Sequence, residues 1–398
     1  MIAGKTVVLG VTGGIAAYKA ADLVSRLKKM DLKVFVVMTQ SATEFITPLT
    51  LETLSGNRVV VDTFDRSFPW EVEHIALAKR ADGFAIAPAT ANVLGKMAHG
   101  IADDMLTTTV MATKAPLVLA PAMNTGMYEN PVVQENIRLL RGRGAQIVEP
   151  AVGLLACGDT GKGKMADPAE IAEAIERALT PQDLAGKRVL VTAGPTREAM
   201  DPVRFLSNHS TGKMGYALAR QAWLRGAQTT LVSGPTALTP PQGVELVPVT
   251  SALDMRQAVL DRLDTTDWFI KAAAVGDYRP AHQADQKLKK QDGDLQVQLT
   301  RNPDILAELG GKKRPGQLLC GFSMETQDLL DNSRKKLQSK HCDLMVANNL
   351  KTAGAGFAHD TNVATLLYPD GRTEPLSLME KRALADCVLD RLLDLSRG

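Results

Sequence analysis

Short apolar runs alternate with amphipathic stretches through the first half of the chain, the pattern of βαβ units built on a parallel sheet. Residues 7–10 read as a first strand that breaks at Gly13-Gly14. Beyond the break, Ala17, Ala20, Leu23, Val24, Leu27 and Met30 recur at i, i+3 and i+4, which predicts a helix with one apolar stripe against the sheet. Further strands are expected at 33–38, 84–87, 117–120 and 146–148. The glycine-rich stretch 153–165 predicts a mobile loop or lid, neither helix nor strand. Asp167-Pro168 supplies an N-cap and first residue for a helix running to about Leu179.

Thr180-Pro181-Gln182-Asp183 combines proline with a polar break and marks the expected boundary. The second half then opens as the first did: Ala185-Gly186-Lys187 leads into an apolar strand at 189–191 and a turn at Gly194-Pro195-Thr196. Its later strands are expected at 229–232, 268–272, 318–322 and 343–347, with a hairpin across Tyr368-Pro369-Asp370-Gly371. The polar, basic stretch 279–301 reads as an insertion. The fold class is therefore α/β, with two doubly wound Rossmann-like domains at 1–180 and 181–398.

Doubly wound sheets bind ligands at the carboxyl ends of their strands, and three such ends carry loops of small polar residues. They read Met38-Thr39-Gln40-Ser41, Pro88-Ala89-Thr90-Ala91-Asn92 and Pro121-Ala122-Met123-Asn124. A dinucleotide site requires an acid at the end of the second strand to hold the ribose hydroxyls. Neither half has one: the strands end in Thr39-Gln40 and Ser233-Gly234. A mononucleotide whose phosphate meets backbone amides, Thr39 and neighbouring hydroxyls fits better than NAD, and an NAD(P)-dependent oxidoreductase ranks below it. In the second half Gly194-Pro195-Thr196 and Ser210-Thr211-Gly212-Lys213 are loops suited to phosphate oxygens, although neither is a Walker A motif.

Composition narrows the partners. Lys plus Arg total 46 against 44 Asp plus Glu, so no net field draws the chain to nucleic acid or to an anionic membrane. No apolar run approaches the ~20 residues of a membrane span. The four cysteines show no CxxC spacing and predict neither a disulfide framework nor a zinc site, which points to the cytoplasm. Cys320, Cys342 and Cys387 stand in apolar contexts as packing residues; Cys157 lies in the glycine-rich stretch instead.

Long motifs in both halves carry a resemblance that spans the chain: GVTGGIAAYKA, HIALAKRAD, APATAN, GIADDML, PAMN and LACGDTGKGKM, then GPTREAMDPVRFLSNHSTGKMG, KAAAVGDYRP, KLKK, RNPDIL and GFSMET. The sequence resembles the bifunctional coenzyme A biosynthesis family, which joins a flavin-dependent phosphopantothenoylcysteine decarboxylase to a CTP-dependent phosphopantothenate-cysteine ligase. The resemblance implies a flavodoxin-like first domain holding FMN and a ligase second domain using CTP with Mg2+. It implies 4'-phosphopantothenate and cysteine as co-substrates, and a homo-oligomer, a dodecamer of flavin-domain trimers and ligase-domain dimers. Some relatives of the first domain are non-catalytic flavoproteins; the full ligase half and Cys157 argue against that reading here.

Residue roles follow from the same resemblance. Gly13, Gly14, Ile15, Thr39, Pro88, Ala89, Thr90 and Asn92 would hold FMN. His74, which by itself reads as a structural or surface residue beside Leu77 and Ala78, matches the active-site histidine, as base or as electrostatic partner of the carboxylate. Asn124, otherwise a turn residue, would orient that carboxylate. Oxidation of the substrate thiol to a thioaldehyde by the flavin places an electron sink β to the carboxylate, and after loss of carbon dioxide the reduced flavin would return hydride while Cys157 supplies a proton, with no net oxidation. In the second domain Asn208 would handle the acyl-cytidylate. Ala273, Asp277, Asn302, Pro303, Asp304, Ile305, Phe322, Lys336 and Lys340 would contact CTP. Lys287, whose run with Lys289 and Lys290 otherwise reads as a solvated strip, matches the lysine at the triphosphate. Gly276 departs from the family, which commonly has alanine there.

Overall fold

The structure is a computed structural model and describes residues 2–64, 72–155, 158–289, 295–325, 327–349 and 359–397. The chain divides into two compact units, Met1–Pro181 and Gln182–Gly398.

In the first unit β1 (Thr6–Val11), β2 (Lys33–Met38), β3 (Gly83–Ala89), β4 (Leu117–Pro121) and β5 (Gln146–Ile147) form one sheet in the order β2-β1-β3-β4-β5. All pairings are parallel. This is the flavodoxin order, and the strand sequence reverses direction between β1 and β3. β1 is buried at every position, as a central parallel strand covered on both faces must be. One face packs Val7, Leu9 and Val11 under α1 (Ala20–Lys29) and α8 (Pro168–Leu179), through Leu23, Leu27, Ile171 and Ile175. The other packs Val8 and Ile86 under α4 (Ala91–His99), α5 (Met105–Ala112) and α7 (Pro131–Gly142). Helix starts are set by local polar residues: Asp104 and Thr107 form a capping box, and Asp167 accepts from the Ala169 amide at 2.8 Å. Short helices α2 (Pro48–Ser55), α3 (Glu73–Arg80) and α6 (Thr125–Glu129) complete the unit.

The expected mobile loop at 153–165 is corrected by the structure. β6 (Ala151–Leu154) and β7 (Thr160–Lys164) pair as an antiparallel ribbon with a bulge. Its glycines are there for close approach. Gly163 has φ +151°, and a Cβ on it would run into the Met123 carbonyl. The Met123 amide in turn donates to the Gly163 carbonyl at 3.0 Å. Gly163→Ala is therefore expected to release the ribbon from the β4 loop. Amides 160–164 and Met123 should exchange hydrogen at least about tenfold faster, with the sheet unaffected; unchanged protection would refute the packing argument.

In the second unit β8 (Arg188–Ala193), β11 (Gln228–Ser233), β12 (Glu245–Pro248), β13 (Trp268–Lys271), β16 (Leu318–Glu325) and β17 (Leu344–Asn349) run parallel, in the order β12-β11-β8-β13-β16-β17. Numbered within the unit this is 3-2-1-4-5-6, the dinucleotide-fold order, with its switch point between β8 and β13. β19 (Ala364–Leu367) and β20 (Thr373–Pro375) extend the sheet antiparallel. They form the expected hairpin: Gly371, at φ +89°, closes it by donating to the Tyr368 carbonyl at 3.1 Å. α9 (Lys213–Leu224) and α13 (Lys381–Leu395) cover one face, through Leu218, Ala222, Leu384 and Leu392. α10 (Ala252–Leu260), α11 (Ile305–Lys312) and α12 (Leu329–Ser339) cover the other.

Three small ribbons stand outside this sheet: β9 (Arg197–Ala199) with β10 (Phe205–Ser207), β14 (Tyr278–Pro280) with β15 (Leu299–Arg301), and β18 (Thr361–Asn362) with β21 (Met379–Glu380). The ends of the stretch read as an insertion at 279–301 thus pair with each other, Tyr278 opposite Arg301.

Candidate active sites

Each unit has a cleft at its switch point. In the first, of about 850 Å³, the three strand-end loops converge as their composition suggested. Thr12, fully buried, ties the turn after β1 to one of them: its Oγ1 donates to the Pro88 carbonyl at 2.8 Å and accepts from the Thr90 amide at 3.1 Å. Thr90 caps α4, leaving a helix N-terminus facing the cleft. A Cβ on Gly13 would lie 2.5 Å from that of Ser41, so only glycine lets the first loop approach the second. Thr39 Oγ1 is buried without a hydrogen-bond partner, and the residue lines the cleft. An orphaned hydroxyl of this kind is satisfied by a polar ligand.

Gly13, Gly14, Ile15, Thr39, Pro88, Thr90, Asn92 and Asn124 all line this cleft. Ala89 does not; it is wholly buried in β3, supporting the loop from behind. His74, half-buried at the second position of α3, does not line the cleft of its own chain. Cys157 lies outside the described residues, while Leu154 and Leu155 beside it line the cleft. Asn124 does two jobs. Its Oδ1 accepts from the Gly126 amide to cap α6, and its Nδ2 donates to Asp159 at 2.8 Å, pinning the far arm of the β6-β7 ribbon. Sequence reasoning missed the cleft's cations. Lys96 is held by Asp103 at 2.6 Å and Asp104 at 3.2 Å, and its amine is raised chiefly by the Asp103 contact. Burial, then the neighbouring Lys164, lowers the amine of Lys19.

The second cleft, of about 880 Å³, opens between β8 and β13. The loops after these strands lace together: the Ala274 amide donates to the Gly194 carbonyl at 3.0 Å, and the Gly276 amide to Thr196 Oγ1 at 3.0 Å. Asn208 Nδ2 donates to the Ala274 carbonyl at 3.0 Å and Asn302 Nδ2 to the Gly276 carbonyl at 2.8 Å, so two amide side chains grip one loop from opposite segments. Asp304 caps α11 and lies 2.9 Å from Lys340, while Lys336 is 2.6 Å from Glu325. Burial works against the Asp304 carboxylate, but the Ala307 amide and Lys340 together hold it below its usual range. Ser323 Oγ is buried without a hydrogen-bond partner on the same wall.

The structure thus brings together Asn208, Ala273, Asp277, Asn302, Pro303, Asp304, Ile305, Phe322, Lys336 and Lys340. Lys287 is not among the lining residues. It is exposed, on a segment whose next residue, Leu288, is fastened by Asp201 Oδ2 accepting from its amide at 3.1 Å and Arg204 donating to its carbonyl at 2.6 Å. Lys290 lies outside the described residues. Lys271 and Lys381 line the cleft and were missed. The signal for Lys271 was legible: a charged residue ends the apolar run Trp268-Phe269-Ile270.

Residues 1–180 match the Flavoprotein family, and residues 184–395 match the DNA/pantothenate metabolism flavoprotein C-terminal domain. The chain is 49% identical over 401 residues to the coenzyme A biosynthesis bifunctional protein CoaBC of Bacillus subtilis, covering 100% of this chain and 98% of that protein. It is 42% identical over 396 residues to the protein of that name from Escherichia coli K12, covering 98% of this chain and 97% of that one. Among solved structures, a C-terminal domain of such a protein shares 42% identity, covering 54% of this chain and 97% of its own, with a TM-score of 0.47. With two domain families in tandem and full-length relatives well above 30% identity, the chain belongs to the bifunctional coenzyme A biosynthesis family.

Proposed function

We propose that this enzyme joins 4'-phosphopantothenate to cysteine in its second unit and decarboxylates the 4'-phosphopantothenoylcysteine so formed in its first. The carrying observation is two separate switch-point clefts, each with an orphaned buried hydroxyl, the first lined by glycine turns, apolar groups and Lys19, Lys96 and Lys164, the second by Lys213, Lys271, Lys336, Lys340 and Lys381.

In the ligase cleft the carboxylate of phosphopantothenate displaces pyrophosphate from CTP, and the cysteine amine then displaces CMP from the acyl-cytidylate. Lys336 and Lys340 supply positive charge toward the phosphates. Asn208 orients the activated acyl group. Lys287 would reach the triphosphate from outside the cleft wall. Among the described residues no cluster of three acidic, histidine or cysteine side chains could hold a metal, which suits a magnesium ion brought in on the nucleotide.

In the other cleft Thr39, the Gly13-Gly14 turn and the α4 N-terminus would hold the phosphate and polar groups of FMN, and Pro88, Ile15 and Asn92 on the same lining would contact the cofactor as well. The flavin, when bound, would supply the two-electron oxidation of the substrate thiol that makes decarboxylation possible and the hydride that restores the thiol afterwards. Asn124 orients the substrate carboxylate, and Cys157 delivers the proton that completes the product. His74 does not line its own cleft, and Ile15, Tyr18, Phe45 and Leu49 are exposed. Both features support an assembly in which flavin units pack against copies of themselves, within a dodecamer of trimers and ligase dimers. Cys320, Cys342 and Cys387 are free thiols, and no helix among the described residues is long and apolar enough to cross a membrane; a cytoplasmic enzyme accords with both.

The protein is expected to purify yellow and to release FMN on denaturation, identified by mass spectrometry. With CTP, magnesium, phosphopantothenate and cysteine it should yield phosphopantetheine. A folded protein that neither retains nor takes up flavin would end the reading of the first unit.

A further inference from the structure

Every lysine lining the ligase cleft except one already rests on an oxygen. Lys213 is 2.7 Å from Asp360, Lys336 is 2.6 Å from Glu325, Lys340 is 2.9 Å from Asp304, and Lys381 donates to the His359 carbonyl at 2.6 Å. The exception is Lys271, the last residue of β13. It is 7% exposed, and among the described residues its Nζ meets only the Met255 sulfur, at 3.8 Å. Alternation along β13 puts it on the same side as Phe269, in the layer that also holds Met255, Ile305 and Leu309. An amine there lacks a counter-ion within hydrogen-bond reach, an unfavourable arrangement unless something else occupies it.

We propose that Lys271 is a nucleotide-sensing residue of the ligase cleft, which takes up a proton when CTP binds and so turns the cleft floor cationic only in the loaded enzyme. The inference rests on the CTP reading above. In the empty cleft burial pushes the amine down to about 7, with Asp304 the carboxylate that acts against this. Asp304 is itself shared with Lys340. The other charged groups near this layer are engaged with each other: Arg256 on α10 and Glu308 on α11 pair at 2.6 Å. The register neighbours on β8 and β16, Thr192 and Gly321, carry no charge. Introducing the net negative charge of magnesium-bound CTP into the cleft stabilises the ammonium and raises its pKa, so binding draws a proton from solvent. The sign sets the window. Uptake is greatest above the free-enzyme value of about 7 and fades below it, where the amine is charged before CTP arrives. His209, exposed, is the histidine among the residues lining the cleft and serves as the control for Lys271.

The test is isothermal titration of the full-length protein with magnesium-CTP, in buffers of differing ionisation enthalpy, at pH 6 and pH 8. Wild type is expected to take up a large fraction of one proton at pH 8 and far less at pH 6. Lys271→Met should abolish the uptake at pH 8 and weaken CTP binding roughly tenfold at pH 6, the scale of one charge-assisted contact. Its melting temperature should not fall, because the thioether suits the apolar layer. His209→Asn should keep the uptake. Uptake that is equal at both pH values, retained in Lys271→Met, or lost in His209→Asn overturns the proposal while leaving the CTP reading intact. Absence of any CTP binding by wild type overturns both.

Discussion

Asn208→Asp is expected to abolish the amide-forming half of the ligase reaction, by about a hundredfold or more, while the acyl-cytidylate still forms and accumulates. The wild-type amide donates to the Ala274 carbonyl at 3.0 Å, which fixes its orientation at the cleft wall. A carboxylate there has no hydrogen to donate. It would face that carbonyl oxygen as a second acceptor and swing away, and its charge would repel the phosphate of the intermediate. Exposure keeps it ionised at neutral pH. Lys287→Gln should act one step earlier, removing a cation from the triphosphate and depressing formation of the acyl-cytidylate itself. Mass spectrometry of quenched mixtures containing phosphopantothenate, CTP and magnesium, with and without cysteine, distinguishes the two. Equal loss of intermediate in both variants would refute the division of roles. Both should retain decarboxylation of added phosphopantothenoylcysteine, since that chemistry belongs to the other unit.

The parts legible in the sequence were those fixed by local periodicity. The apolar runs at 33–38 and 117–120 coincide with or fall within β2 and β4, because a buried parallel strand must be apolar at nearly every position. The α8 start was legible from Asp167-Pro168, a local signal of capping. The β6-β7 ribbon was not. Its glycines look like loop residues in isolation, and only the approach of Met123 and Thr125, more than thirty residues away, makes glycine necessary there. In the clefts, the three strand-end loops could be read as one site because the doubly wound fold forces them together. Lys271 could not be placed, since its significance lies in what it lacks: an oxygen partner that every neighbouring lysine has. Nor does proximity along the sequence show that Leu288 is fastened to Asp201 and Arg204, a contact that leaves Lys287 outside the cleft lining.

Cys157→Ser is expected to uncouple the decarboxylase, releasing carbon dioxide at close to the wild-type rate in a first turnover but yielding little phosphopantetheine. Loss of carbon dioxide leaves an electron-rich enethiolate, which must gain both a proton and the hydride that the reduced flavin would return before the product is complete. A thiol can supply that proton; a serine hydroxyl, far less acidic, cannot do so at a useful rate. The described residues of the ribbon before and after position 157 are held at the cleft. Its arms end at Leu154 and begin again at Thr160, Leu154 and Leu155 line the cleft, and the Leu155 amide donates to the Asp159 carbonyl at 2.8 Å. Asp159 is tied by Asn124, and Lys162 lower on the ribbon is tied by Glu149 at 2.7 Å. Those anchors do not involve residue 157, so the serine variant should hold the same ribbon and the same flavin. The readout is the ratio of carbon dioxide to phosphopantetheine in a single turnover, measured beside flavin content. A ratio of one with normal rates would remove Cys157 from the mechanism. Loss of carbon dioxide release together with flavin would show instead that residue 157 supports the cleft and does not deliver the proton.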